Sequence, residues 1–478
     1  MGPDYESRDW KTYHQQAFFV DMHAHPTLPA SLFPPIPLLP FFPSFRKANQ
    51  RALDDMPRSK GYQGTSPLNF RTAFPLLQMG GADVLLTNAV VPEVGFLRAA
   101  LGNGHVLQAI SRLPLLNTIY KNYVNPTYYR STLNMMTAIE REVEIYNAFA
   151  EKMNRTAATK RRLVEIVRSV DRLKEIRALD GKGPIAFVNA VEGAHSLQGE
   201  KAGKSFVQTK AYHLTGQIQA VNDVRDEVLT NLHNLWNMGV ACITVAHFYP
   251  NVVAAPCFPY PDYAMNYLDV LGDSEGERIH HNLALGLTPI GIEVIREMFA
   301  LGMLVDVSHC TPKARATIYT IANEMEVNYK VVATHVGAYS INPSPYNLED
   351  WEIQWIAEHK GIVGVILMPY WTQPQNRPLG VDFLSRTIEH IRKAGGAHGD
   401  DVIAIGTDLD GATDPPDELA HYGQMPRLTE RLMAEYFQLQ DKYSDVLIKK
   451  ILGENAWTVL VNGWGKHADP QDEKSTQA

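Results

Sequence analysis

The sequence predicts an α/β fold, a (β/α)8 barrel of the TIM type with insertions. Two observations predict it. Eight short apolar runs alternate with helical stretches, and polar residues follow those runs with unusual regularity. The runs are Phe18–Asp21, Asp83–Val91, Pro184–Val191, Ala241–Ala246, Met303–Ser308, Lys330–Thr334, Gly361–Met368 and Asp401–Thr407. Most are continuously apolar, as strands buried on both faces are. Periodicity does not show closure, so a doubly wound open sheet is the structural alternative.

The helices carry their own signals. One has Thr288 as N-cap, Pro289 at its first position and Gly302 just past its end. Its Ile292, Ile295, Met298 and Phe299 keep the spacing of one helix face. Another runs from about Leu348 to His359 and stops before Gly361. The stretch TKRRLVEIVRSVDRLKEIRAL reads as a single helix, with Leu163, Ile166, Val167, Val170 and Leu173 on one face and Lys160–Arg162 solvated. Seven prolines between Pro26 and Pro43 exclude a helix or a central strand there. That segment is also apolar, which predicts a loop packed over the body. A single barrel over 1–465 is expected, with insertions at about 26–80, 95–180 and 250–282, and a polar, disordered tail at 466–478.

Composition narrows the function. Of 478 residues, 45% are apolar and 20% charged, and the net charge is −8, which argues against a nucleic-acid partner. No apolar run approaches the roughly 20 residues of a membrane helix. The N-terminus lacks a charged-then-apolar leader pattern. Three cysteines, Cys242, Cys257 and Cys310, are an odd and sparse set that fits a reducing, cytoplasmic setting.

The strand ends point to chemistry. The first ends Asp21-Met22-His23-Ala24-His25, the third in Glu192, the fourth in His247, the fifth in His309 and the sixth in His335. The eighth ends Thr407-Asp408-Leu409-Asp410. With 17 histidines in the chain, a His-x-His pair is not specific by itself. A lone strand-end histidine is usually a hydrogen-bonded structural residue. Convergence of four such ends with two carboxylate-bearing ones is the signal. Histidines at i and i+2 of a strand point the same way, and neutral imidazoles with a carboxylate suit Zn²⁺ at about 2.0–2.2 Å. One carboxylate can bridge two ions about 3.5–4 Å apart. His195 and Asp21 are candidate partners of these ligands, Asp306 and Ser308 are expected in a structural hydrogen bond, and Cys310 reads as a small apolar residue.

The strings VEGAHS, GLTPIGIEVIREMFALGMLVDVSH, ATHVGAYS, IGTDLDG and ILGENAWTVL resemble the membrane (renal) dipeptidase family. That family belongs to the amidohydrolase superfamily of metal-dependent barrels. The resemblance covers about Pro184 to Gly463 and the His23 strand. It implies a binuclear zinc site, with His23 and His25 on one ion, His309 and His335 on the other, and Glu192 bridging. It implies that His247 contacts substrate and steadies the tetrahedral intermediate. Asp408 matches the acid/base carboxylate, with Asp410 as its rival and a candidate substrate contact. Tyr370 matches a position near bound substrate. The implied reaction is hydrolysis of a dipeptide, or another small amide, by hydroxide held on the metal. Dimers are common among such proteins.

Two departures qualify that expectation. The family has His-x-Asp on the first strand, whereas His25 replaces the acid and removes one negative charge, making the ions stronger Lewis acids. Where the family carries an arginine that clamps the substrate carboxylate, this chain has Tyr346, which lacks the charged fork. The alternative reading is therefore an amidohydrolase acting on a non-dipeptide amide or a lactone.

Overall fold

The computed structural model describes residues 9–32, 70–93, 120–156, 160–179, 182–203, 221–257, 283–368, 380–411, 415–438 and 444–465. Nine parallel strands run through them: β1 (Phe19–Ala24), β2 (Ala82–Val90), β3 (Val164–Val167), β4 (Ile185–Glu192), β5 (Cys242–Thr244), β6 (Leu304–Asp306), β7 (Val331–Val336), β8 (Ile362–Ile366) and β9 (Ile403–Gly406). Eight of them match the apolar runs of the sequence. β1 pairs with both β2 and β9, and β2 pairs with β4 across Val84–Val90. From β4 the ladder continues through β5, β6, β7 and β8 to β9. The sheet closes into an eight-stranded barrel, which excludes the open doubly wound sheet.

β3 is the ninth strand, and it corrects the sequence reading. Val164–Val167 pairs with Ile185–Val188 of β4, while β5 takes Ala190–Glu192 of the same strand. The stretch expected as one helix is this strand followed by a helix, Val170–Arg177. Ser169 separates them, its side chain accepting from Arg172 N as an N-cap. The apolar spacing fits both periods, and pairing with β4 decides between them. Arg162, expected to be solvated, points inward. Its guanidinium meets Asp83 Oδ1 at 2.9 Å and the Gly183 carbonyl at 2.7 Å.

The proline-rich segment also differs from expectation. Thr27–Leu32 is a helix. Pro29 falls in its first turn, where an N–H would have no intrahelical partner anyway. Residues 33–43, the tail at 466–478 and Tyr370 lie outside the described residues. The 288–302 helix has the expected caps, with Thr288 accepting from Gly291 N and Gly302 left-handed at φ 83°, but Ile292 is exposed and Ile290 and Val294 join Ile295, Met298 and Phe299 on the buried face.

All strands but β3 are buried along their whole length. Gly364 and Gly406 admit the Thr334 carbonyl where a Cβ would overlap it, so β7 sits unusually close to β8 and β9. Among the described residues, no helix is long and apolar enough to cross a membrane. The three cysteines are buried and form no disulfide.

Candidate metal centre

The C-terminal ends of the strands carry the site. His23 lies on β1, Glu192 ends β4 and His335 lies on β7. His247, His309 and Asp408 follow β5, β6 and β9 by two or three residues. Local irregularities aim them. The β1 ladder shifts register between Asp21 and Ala24, and the β7 ladder between Ala333 and Val336. Such shifts turn side chains away from strict alternation. His309, Asp408 and Asp410 have φ of 63°, 52° and 66°, in the left-handed region that non-glycine residues seldom adopt. Strain of that kind, costing about 1–3 kcal/mol per residue, concentrates at functional sites.

The side chains converge on one carboxylate. His23, His309 and His335 place Nε2 at 3.4, 3.2 and 3.3 Å from Glu192 Oε1, and His25 Nε2 is 3.3 Å from Glu192 Oε2. His23 and His25 Nε2 are 3.1 Å apart, and His309 and His335 Nε2 are 3.0 Å apart. Asp408 Oδ1 is 3.0 Å from His25 Nε2. His247 Nε2 stands farther out, 3.8 Å from Glu192 Oε2. All are buried, none more than 8% exposed.

This donor set fits divalent cations. Two ligands at about 2.05 Å on a tetrahedral ion lie about 3.3 Å apart, close to the spacings here. The Nδ1 atoms of His23 and His335 are held by the Thr334 hydroxyl at 2.9 Å each. That leaves their Nε2 atoms facing Glu192 and the other imidazoles. Paired imidazole nitrogens at 3.0 Å repel unless a proton or a cation lies between them. Burial pushes His23 and His309 down to about 4, towards the neutral form that a metal ligand needs. Burial would raise Glu192, but His247 and His23 hold it well below the usual range. His335 runs the other way: burial is outweighed by Glu192 and Asp408, so a proton and a cation compete there.

Polar supports surround the cluster. Asp21 accepts from Thr407 N, Thr407 Oγ1 and His23 N, joining the ends of β1 and β9. Asp306 accepts from Ser308 N and Oγ at 3.0 and 2.7 Å, the structural bond expected of that pair. His195 lies beside His247, and its Nε2 meets the Val91 carbonyl at 2.8 Å. Arg315, 1% exposed, forms a bidentate pair with Glu352 at 2.6 and 2.9 Å. It also donates to the carbonyls of Cys310, Pro345 and Asn347. One guanidinium thereby fixes the chain beside His309 and on both sides of Tyr346.

Asp410 and Tyr346, both expected near substrate, each have partners within the protein. Asp410 accepts from the backbone of Arg71 and Thr72 at 3.0 and 2.9 Å, and from the Thr72 hydroxyl. It anchors a loop. The Tyr346 hydroxyl donates to the His335 carbonyl at 2.7 Å, and its ring packs edge-on against His309. It is a wall of the cluster, 1% exposed.

One residue escaped the sequence reading. Glu93, 3% exposed, sets both carboxylate oxygens 3.0 Å from His247 Nδ1 and accepts from Phe248 N at 2.9 Å. It stands three residues past β2, so the strand-end criterion that found Glu192 could have found it too.

The sequence profile of the membrane dipeptidase family (peptidase family M19) matches residues 222–463. Among curated relatives, an uncharacterised protein of Klebsiella pneumoniae from the pqqA 5′ region is 34% identical over 179 residues, 37% of this chain and 62% of that protein. The dipeptidase tcpJ of Claviceps purpurea is 27% identical over 234 residues, 49% of this chain and 46% of that protein. The chain thus spans less than two thirds of these relatives' length. A Rhodobacter sphaeroides metallopeptidase, solved with a phosphinate mimic of L-Ala-D-Ala, superposes with a TM-score of 0.58 at 18% identity, covering 94% of this chain and 99% of that one. The probable dipeptidase PvdM of Pseudomonas aeruginosa gives 0.55 at 14% identity, covering 95% and 96%. These two show the shared barrel.

Proposed function

This chain belongs to the membrane dipeptidase family, and from that membership we propose that it is a metal-dependent hydrolase, a dipeptidase first of all, with two zinc ions as cofactor. The observation that carries the reading is the convergence of four imidazole Nε2 atoms on Glu192 at 3.2–3.4 Å. His23 and His25 would hold one ion, His309 and His335 the other, with Glu192 between them. Such ions polarise a scissile carbonyl and acidify water to a pKa of about 7.

The protein's own groups do the rest. Asp408 stands with Oδ1 beside His25 Nε2, where it accepts the proton of the attacking water and delivers it to the leaving amine. His247, held by Glu93, presents Nε2 to the developing oxyanion. Donors of that kind are worth about 2.7–4 kcal/mol.

A second reading concerns the substrate. Tyr346 stands where the carboxylate clamp is expected, and its hydroxyl is bonded to the His335 carbonyl. That favours an amide or lactone without a C-terminal carboxylate. Metal analysis of the purified protein, then a panel of dipeptides (D-residue C-termini included), simple amides and lactones, tests both. About two zinc ions per chain with dipeptide cleavage supports the first reading, and cleavage confined to the other substrates supports the second. Asp408→Asn should abolish turnover while His23, His25, His309 and His335 keep zinc bound. A fully active variant overturns its role.

A further inference from the structure

Thr334 immediately precedes His335 on β7, inside the register shift that lets both side chains turn into the site. Its hydroxyl touches three groups. It lies 2.9 Å from His23 Nδ1, 2.9 Å from His335 Nδ1 and 2.6 Å from Asp306 Oδ2. A hydroxyl has one proton and two acceptor lone pairs, so the three contacts can be assigned.

Asp306 settles where the proton goes. It is buried and accepts two backbone N–H bonds, from Thr334 at 2.9 Å and Ser308 at 3.0 Å. Ser308 Oγ accepts from His335 N at 3.3 Å and passes its own proton to Asp306 at 2.7 Å. Thr244 Oγ1 donates at 2.6 Å from β5. A carboxylate ringed by donors only accepts, so Thr334 gives it the hydroxyl proton. The two lone pairs left on Thr334 Oγ1 face the two Nδ1 atoms. Both histidines must then carry hydrogen on Nδ1, so the neutral form of each has its lone pair on Nε2. Those Nε2 atoms are the ones 3.4 and 3.3 Å from the same oxygen of Glu192.

We infer that Thr334 is a positioning residue that sets the tautomer and ring orientation of one histidine from each half of the metal centre, and so couples the binding of the two ions. The inference rests on the binuclear reading above. A cation that orders the His23 ring also orders the hydroxyl on which His335 depends, so the second ion meets a ligand already oriented. Outer partners of ligating histidines typically change metal affinity 10–100-fold. Here one hydroxyl serves both halves, so its loss is felt by both. A threonine that served only to fold β7 would leave metal affinity untouched.

Thr334→Val removes the hydroxyl at nearly constant volume, and Thr334→Ser keeps it. Zn²⁺ affinity is read for both binding steps by competition with a chromophoric chelator, after thermal unfolding has shown each variant to be folded. Wild type should bind two ions, the valine variant should lose about 10–100-fold in both steps, and the serine variant should stay within a few-fold of wild type. Nitrogen-15 spectra of histidine-labelled, zinc-free wild-type protein should show His23 and His335 protonated on Nδ1, a readout that does not depend on any variant folding. Unchanged zinc binding in the valine variant, weakening of one step alone, or an Nδ1 without hydrogen on either histidine overturns the inference. Wild-type protein that binds no Zn²⁺ would instead overturn the binuclear reading, and the tautomers would still decide the role of Thr334.

Discussion

Glu93 and His247 meet at the C-terminal face of the barrel, with each carboxylate oxygen 3.0 Å from the imidazole Nδ1. The two residues come from the ends of β2 and β5, which are not neighbours in the barrel. Burial alone would lower His247, but Glu93 and then Glu192 lift it to about 9. Burial would raise Glu93, but His247 and His195 hold it at about 2. The carboxylate therefore fixes the ring and favours a donating Nε2. Glu93→Gln removes a charge-assisted bond worth about 1.5–3 kcal/mol, so kcat should fall about 10- to 100-fold. Zinc content should not change, because Glu93 touches no expected ligand. Steady-state kinetics with parallel metal analysis checks this. Loss of metal in step with kcat would make Glu93 a structural residue.

What the sequence shows and hides follows from which signals are local. Eight barrel strands were legible because burial on both faces makes each one continuously apolar. The six polar strand ends were legible because a barrel gathers such ends on one face. β3 was not legible: Leu163, Ile166, Val167 and Val170 fit a helix face, and only the free edge of β4 makes Val164–Val167 a strand. The left-handed backbone at His309, Asp408 and Asp410 leaves no trace in composition, since none of them is glycine. Tyr346 could be seen to replace an arginine, but its inward hydroxyl bond depends on a fold that Arg315 and Glu352 hold from below.

That pair makes the second prediction. Arg315 and Glu352 are each 1% exposed, and Glu352 also accepts from Tyr319 OH and Glu349 N. Burial would lower the arginine, but Glu352 outweighs it and keeps the guanidinium charged. Glu352→Gln leaves a buried cation without its counter-charge, which costs about 3–5 kcal/mol. Replacing both residues, as Arg315→Met with Glu352→Leu, should cost less than the single change predicts, because no charge is stranded. Denaturant unfolding of Arg315→Met, Glu352→Leu and the double variant measures the coupling. Strict additivity would refute it.

His14 predicts a pH dependence remote from the metal site. It is fully buried, with Nδ1 2.6 Å from Thr429 Oγ1 and Nε2 2.7 Å from the Gly80 carbonyl. The carbonyl only accepts, so Nε2 carries the hydrogen and the threonine donates to Nδ1. Burial lowers its pKa from 6.5 to about 4. The unfolded chain then binds the extra proton more readily, so this contribution to stability is full above pH 6.5 and is lost as pH falls towards 4. At pH 5 the loss is about 2 kcal/mol. His14→Gln should be less stable than wild type at pH 8, and the gap should narrow by about that amount at pH 5. Urea midpoints at the two pH values test it, and a constant gap would count against a neutral, buried His14.

Gly411 makes the last prediction, and space rather than backbone strain is the reason. It lies one residue past Asp410, and a Cβ there would overlap Asp408 Oδ1 and press on the His25 ring. Neither neighbour can yield freely. Asp408 has a left-handed backbone and donates its N–H to the His23 carbonyl at 2.8 Å, and His25 N is bonded to the Leu409 carbonyl at 2.9 Å. The methyl of Gly411→Ala must therefore displace the Asp408 carboxylate or tilt His25. A misplacement of about 1 Å at a reacting group costs about 100-fold in rate. Stability should change little, because Gly411 lies at the partly exposed rim of the strand ends rather than in the core. Activity and melting temperature measured on the same preparation separate the two effects: kcat should drop about 100-fold while the melting temperature stays near wild type. If the melting temperature falls and kcat per folded molecule is unchanged, Asp408 and His25 have room that this packing denies them.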